Sequence, residues 1–238
     1  MTTIESNLQR VRSRMATACS QAGRDVKTVT LLAVSKTFGP EAVAQALAAG
    51  QRAFGENYIQ EGVEKIFALR ASHPSAAIEW HCIGPVQSNK TRLVATHFDW
   101  VQSVDRLKIA QRLSEQRPAE LPPLQVCLQV NVDGGANKSG VTPDELPMLA
   151  QAVAALPNLR LRGLMCIPEP AEGLAAQLPA FQQTRALFDS LNAQGLSLDT
   201  LSMGMSEDLD AAIAGGSTMV RVGRAIFGHR PTKTAATV

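Results

Sequence analysis

The stretch Leu31-Leu32-Ala33-Val34-Ser35-Lys36-Thr37 decides the fold. From Val29 to Val34 every residue but Thr30 is apolar, and the run ends on a lysine followed by Phe38-Gly39-Pro40. An apolar run this short, with valines and threonines, predicts a strand buried on both faces, as in parallel sheets. A charged amine at the carboxyl end of such a strand costs free energy unless it has a partner or a covalent task. In open α/β sheets and in β/α barrels alike, ligands bind at that end of the strands. A lysine that snorkels out of the rim with no chemical role is the simpler alternative.

Upstream, residues 2–22 are predicted as a helix. Thr2 with Glu5 makes a capping box, Ile4, Leu8, Val11, Met15 and Ala18 recur at helical spacing, and Gly23 stops it. Arg10, Arg12 and Arg14 belong to its wetter side. Because this helix precedes the first strand, residues 1–25 are an addition to the repeat that follows. Downstream, strands are predicted at Ala53–Asn57, Ile78–Gly84, Trp100–Val104, Leu124–Val132, Leu161–Ile167, Thr200–Gly204 and Thr218–Val222, each followed by helical sequence. Asp105 is read as the cap of the helix reaching Gln116. Thr142-Pro143-Asp144-Glu145 is read as a helix start, and Pro179 as the true start of the helix over Leu174–Gln194. Eight β/α units point to a single (β/α)8 TIM barrel occupying one domain, 1–238, with a flexible tail at 231–238. A doubly wound open sheet is the runner-up, but no GxGxxG occurs and the first turn carries a lysine instead.

Bulk composition narrows the function. The 238 residues are 45% hydrophobic and 18% charged, which allows a sizeable core, and with seven Phe, two Trp and one Tyr that core is aliphatic. A net charge of +2, with basic residues scattered, does not suggest a nucleic-acid binder. No apolar stretch approaches the ~18 residues of a membrane span, and no signal peptide is read at the N-terminus. Cys19, Cys82, Cys127 and Cys166 are widely spaced without CxxC, and His73, His97 and His229 show no metal-ligand spacing. The chain is therefore expected to be cytoplasmic, with reduced, buried thiols.

In a barrel, the strand ends and the loops after them carry the chemistry. Those positions include Ser35, Lys36, Glu56, Asn57, Tyr58, His81, Cys166, Met203, Ser206, Arg221, Gly223 and Arg224, and they are far more polar than the strands behind them. Lys36 shares strand parity with Val34, Leu32 and Thr30, so it faces the same way as they do. Surrounded by Val and Leu it is expected to be kept neutral, the form that condenses with an aldehyde. After strand eight, Gly223 opens a last helical turn whose free N–H groups suit an anion. Ser202 and Ser206 offer hydroxyls to the same pocket, while Ser206 equally fits a helix N-cap. An amine-reactive aldehyde with a phosphate points to pyridoxal 5′-phosphate (PLP). Arg221 would lie by its pyridine ring and leave the ring nitrogen unprotonated. Lys90 and Lys138, on rim loops, read as solvated lysines before any contact with phosphate or a partner.

At these residues the sequence closely resembles the pyridoxal phosphate homeostasis proteins of the YggS/PROSC type. The resemblance is carried by Leu32-Ala33-Val34-Ser35-Lys36, Phe54-Gly55-Glu56-Asn57-Tyr58, His81-Cys82-Ile83-Gly84 with Gln87 and Asn89-Lys90, Leu201-Ser202-Met203-Gly204-Met205-Ser206 and Val220-Arg221-Val222-Gly223-Arg224. It implies a fold-type III barrel similar to the N-terminal domain of alanine racemase, with PLP held as an aldimine on Lys36. It also implies phosphate contacts from Ser206, Gly223 and Arg224, Arg221 beside the ring nitrogen, and Asn57 and Met203 in the pocket.

The implied role is intracellular PLP balance, as a carrier or regulator, with PLP-dependent apoenzymes as recipients. A small amino-acid racemase is the alternative, and a cofactor-free Schiff-base aldolase a third reading. Racemisation by two bases needs a second proton donor opposite the lysine. The only tyrosine, Tyr58, equally fits a packing or hydrogen-bonding role, and nothing near Cys82 or Cys166 suggests a lowered thiol pKa. The second domain of alanine racemases is not expected here, so a monomer with an open site is.

Overall fold

A computed structural model describes residues 3–135 and 138–228. Thr2, His229 and the 231–238 tail lie outside the described residues. Eight strands close into a parallel barrel in sequence order. They are β1 (Thr30–Val34), β2 (Ala53–Glu56), β3 (Glu79–Cys82), β4 (Trp100–Val104), β5 (Leu124–Gln129), β6 (Leu159–Met165), β7 (Thr200–Ser202) and β8 (Met219–Val222). Closure is made by β1, which pairs Ala33 with Phe54 of β2 and Leu32 with Arg221 of β8.

The helices are α1 (Ile4–Gln21), α2 (Pro40–Ala48), α3 (Ile59–Ser72), α4 (Thr91–His97), α5 (Leu107–Gln116), α6 (Leu146–Ala154), α7 (Leu174–Ala193), α8 (Leu209–Ala214) and α9 (Arg224–Phe227). This is a (β/α)8 barrel with α1 added ahead of it, as the alternation predicts. None of the described helices is long and apolar enough to cross a membrane.

Strand alternation sorts β1 into two environments. Leu31 and Ala33 turn outward into the aliphatic layer beneath the helices, while Leu32 turns inward against Ala53 and Met219. The outer layer is the larger core and carries the aromatic pair Phe54 and Trp80, 5.7 Å apart. The interior departs from the usual filling of branched aliphatics. His81, Gln102, Ser202 and Arg221 are all buried there, and Trp100 stacks on His81 at 5.1 Å.

The arginines of α1 lie on its wetter side, with Arg10 and Arg14 exposed, and two of them also anchor the helix. Arg12 donates to the Ala49 carbonyl at 3.0 Å and Arg14 pairs with Asp210 at 2.7 Å. Buried Asn7 donates to the Ile226 carbonyl at 2.8 Å, so α1 is tied to both α8 and α9.

Several helix starts differ from the sequence reading. The α1 cap is Thr3, whose Oγ1 accepts from the Ser6 N–H at 3.1 Å. Helix α5 begins at Leu107 without a side-chain cap, and Asp105 pairs with Arg106 instead. Pro179 lies inside α7, not at its start. In the second turn a proline forfeits one backbone bond, and the Gly173 carbonyl already takes the Ala176 and Gln177 N–H groups of the first. Helix α6 begins at Leu146, but Thr142 and Glu145 do bond each other just ahead of it, at 2.8 Å.

Candidate cofactor-binding site

At the carboxyl ends of the strands lies a cavity of about 880 Å³, lined among others by Val34, Lys36, Asn57, Arg221, Gly223 and Arg224. Lys36 is half-buried at this mouth rather than enclosed in the interior. Val34 and Lys36 both face the cavity, as their shared parity requires.

The backbone on either side of Lys36 is held by a buried charged cluster. Ser35 donates its hydroxyl to Glu56 Oε1 at 2.5 Å, and its carbonyl accepts from the Lys65 ammonium at 2.7 Å. Beyond Lys36, the Thr37 N–H donates to Glu61 Oε1 at 2.6 Å. Lys65 joins the two acids, 2.8 Å from Glu56 and 2.7 Å from Glu61. Burial, which outweighs the Lys65 ammonium, pushes the Glu56 carboxyl above its ordinary range, and its Oε2 is buried without a hydrogen-bond partner among the described residues. Thr37 itself has φ of 70°, a left-handed conformation rare for a β-branched residue.

On the same cavity, Arg221 is 4% exposed. Its guanidinium donates to the Ser202 carbonyl and, at 2.9 Å, to the Ser202 hydroxyl, and at 2.8 Å to the Cys166 carbonyl. Burial lowers its pKa, yet an arginine remains charged at any ordinary pH. Gly223 immediately precedes α9, and a Cβ there would make a tight approach of 3.0 Å to the Val34 carbonyl oxygen. Arg224 points largely outward, 3.4 Å from Glu207. Ser206 lines the cavity, but the residue that precedes α8 is Asp208, so the N-cap reading of Ser206 does not hold.

Thus Lys36, Asn57, Ser206, Arg221, Gly223 and Arg224 are brought together, whereas Met203 is not. Met203 is fully buried in the outer aliphatic layer. Alternation would have shown this, because Ser202 turns inward and its neighbour must turn outward. Tyr58 is 53% exposed, which removes the packing role. Lys138 bridges Asp133 and Glu169 at 2.8 and 3.1 Å, and Lys90 donates to Gln60 at 3.1 Å, so each has a partner within the chain. Sequence reading missed the cluster behind Lys36 and the apolar walls Phe38, Ile83 and Ile167. Lys65 lies mid-helix with no motif to mark it, and only its i,i+4 spacing from Glu61 hints at a pair.

The residues present fit a phosphorylated aldehyde. They offer an amine, a buried guanidinium and a glycine at a helix start, and Asn57 Oδ1 is buried there without a hydrogen-bond partner among the described residues.

The profile of the alanine racemase N-terminal domain matches residues 3–231. A pyridoxal phosphate homeostasis protein of Pseudomonas aeruginosa is 60% identical, with 97% of each chain covered. The chain belongs to the pyridoxal phosphate homeostasis protein family. Another relative of that name, from Escherichia coli, is 53% identical over 97% of this chain and 98% of its own. Among solved structures, PipY of Synechococcus elongatus with PLP bound superposes with a TM-score of 0.83 at 35% identity, covering 95% of this family member and 100% of PipY.

Proposed function

We propose that this family member binds PLP through Lys36 and serves intracellular PLP homeostasis by holding the cofactor and releasing it to apoenzymes. The observation that carries the reading is the convergence of Lys36, Ser206, Arg221 and Gly223 on one cavity, together with a PLP-bound relative of the same fold. PLP supplies an aldehyde that condenses with an amine and a ring that withdraws electrons from the bond so formed. Lys36 is the amine. Ser206 and the first N–H groups of α9 hold the phosphate, helped by the helix start and Arg224. Arg221, always cationic and lining the cavity, would lie against the ring nitrogen and disfavour its protonation, which would weaken the ring as an electron sink. Asn57 supplies a further polar contact at the cavity wall.

A carrier role is favoured over racemisation by the thiols. Burial pushes Cys82 up to about 12 and Cys166 up to about 11, so neither is a ready second proton carrier opposite Lys36. The reading extends to a single-domain, monomeric, cytoplasmic protein. Its test is spectroscopic. The purified chain with PLP should turn yellow, the colour should vanish on borohydride reduction with covalent capture at Lys36, and Lys36→Ala should remain colourless. A parent chain that stays colourless with added PLP refutes the reading. Brisk turnover of amino acids in a chiral assay would replace the carrier with an enzyme.

A further inference from the structure

We propose that Glu79, His81, Gln102 and Ser202 form a one-directional hydrogen-bond relay that fixes the Arg221 guanidinium at the cofactor cavity from the opposite face of the barrel. The inference rests on the reading that the cavity holds PLP with Arg221 against it.

The relay runs through the barrel interior across four strands. Arg221 on β8 meets the Ser202 hydroxyl at 2.9 Å. Ser202 on β7 lies 2.6 Å from Gln102 Oε1 on β4, and Gln102 Nε2 lies 2.9 Å from His81 Nδ1 on β3. His81 Nε2 is 2.8 Å from Glu79 Oε1, at the amino-terminal end of β3. Ser202, Gln102 and His81 are fully buried, whereas the Glu79 side chain is 47% exposed. The chain thus joins solvent at the face away from the cavity to the arginine that lines the cavity.

Its two ends dictate its direction. An arginine can only donate, so the Ser202 oxygen accepts from it and turns its own proton toward Gln102 Oε1. That orients the Gln102 amide with its nitrogen toward His81, and the second amide hydrogen points to Met219 Sδ at 3.1 Å, which cannot donate. His81 Nδ1 must then accept, so the ring carries its proton on Nε2 and gives it to the Glu79 carboxylate, which can only accept. Each donor in turn polarises the next, and no member can turn over without breaking the bonds on both sides of it. Stacking of His81 on Trp100, beneath Arg162 at 4.8 Å from the Trp100 ring, holds the imidazole plane. Three of the five N–H donors of Arg221 are therefore committed to Ser202 and Cys166, leaving its remaining edge toward the cavity. Glu79, His81, Gln102 and Ser202 are positioning residues, since none but Arg221 lines the cavity.

The far end gives a test at an exposed side chain, which accepts from Trp100 as well as from His81. Glu79→Leu removes the terminal acceptor at an exposed site, and Glu79→Gln keeps one. The relay predicts that Glu79→Leu weakens PLP binding about threefold to tenfold and shifts the visible band of the bound cofactor. Glu79→Gln should restore both. Nitrogen NMR of His81 in the PLP-free chain reads the relay without the cofactor. The Nε2–H tautomer should dominate in the parent and in Glu79→Gln, and give way to a mixture in Glu79→Leu. Parent-like binding and spectrum in Glu79→Leu, equal loss in both variants, or an Nδ1–H tautomer in the parent each overturn the relay. A parent chain that does not bind PLP refutes the cofactor reading instead, and the tautomer measurement still decides whether the relay exists.

Discussion

The Lys65 ammonium meets the Glu56 carboxylate at 2.8 Å, with the two side chains 4% and 0% exposed, directly behind the peptide that carries Lys36. Pairs of this kind rarely add net stability over a well-packed apolar pair, but breaking one leaves a charge stranded. Lys65→Met should therefore destabilise the fold by about 3–5 kcal/mol near neutral pH, and the double change with Glu56→Gln should recover most of it. The sign with pH follows from Glu56, which is raised already and is raised further without Lys65. A carboxyl raised in the native state takes up protons on folding, so the penalty in Lys65→Met should shrink as pH falls below neutrality. Denaturant melts across pH check both statements.

Thr37 occupies a left-handed conformation one residue after Lys36, with its hydroxyl buried and without a partner among the described residues. Thr37→Gly removes strain of about 1–2 kcal/mol and adds unfolded-state entropy of nearly the same size. Thermal stability should change by less than about 1 kcal/mol, while PLP binding weakens because the Lys36 peptide is freer. Melting and absorbance titration on one preparation separate the two. Equal losses in both would argue against a role for the strained turn in presenting Lys36.

Gly84, after β3, packs on the backbone of Asn57, and a Cβ there would lie 2.1 Å from the Asn57 carbonyl oxygen. Backbone cannot give way as a flexible side chain can. Gly84→Ala should cost about 1–3 kcal/mol in stability and lower PLP affinity by displacing Asn57 from the cavity wall. A variant with parent-like melting and binding would show that the β2–α3 turn moves freely.

Asp199 receives the Arg162 fork at 2.7–3.0 Å. Burial raises this carboxyl, but the bonds from Arg162 and Thr200 outweigh it and leave the pKa below its ordinary value. A lowered carboxyl contributes stability above its unfolded value, about 4, and loses it as pH falls through the folded one. The gap between the parent and Asp199→Asn, no more than about 1 kcal/mol at this half-exposed pair, should be full near neutrality and close in strong acid. Stability measured across pH for the two chains checks the sign.

Much of the barrel was legible in order along the chain. The Val29–Val34 run, the alternation that followed it and the position of Lys36 at a strand end are local properties, set by the spacing of apolar side chains and by the Gly and Pro that close each unit. Locality also explains the misreadings. Pro179 is a strong breaker by itself, yet α7 continues through it, forfeiting the one backbone bond that its missing N–H would make. Met203 stood two residues before Met205, which does reach the cavity, and a count of parity from Ser202 was needed to place it in the outer layer.

The sequence by itself determined the repeat, the lysine at the mouth and the glycine at the last helix start, because each depends on neighbours within a few residues. Only the tertiary structure decided which side chains hold those groups. Ser202 and Gln102 are 100 residues apart, and Ser35 and Lys65 are 30 apart. Ser202 and Gln102 meet because closing β1 onto β8 turns every second side chain into one shared interior, while Ser35 meets Lys65 on the outer side of the strands, where α3 packs. Hydrogen bonds there form at distances fixed by the barrel and by no local pattern.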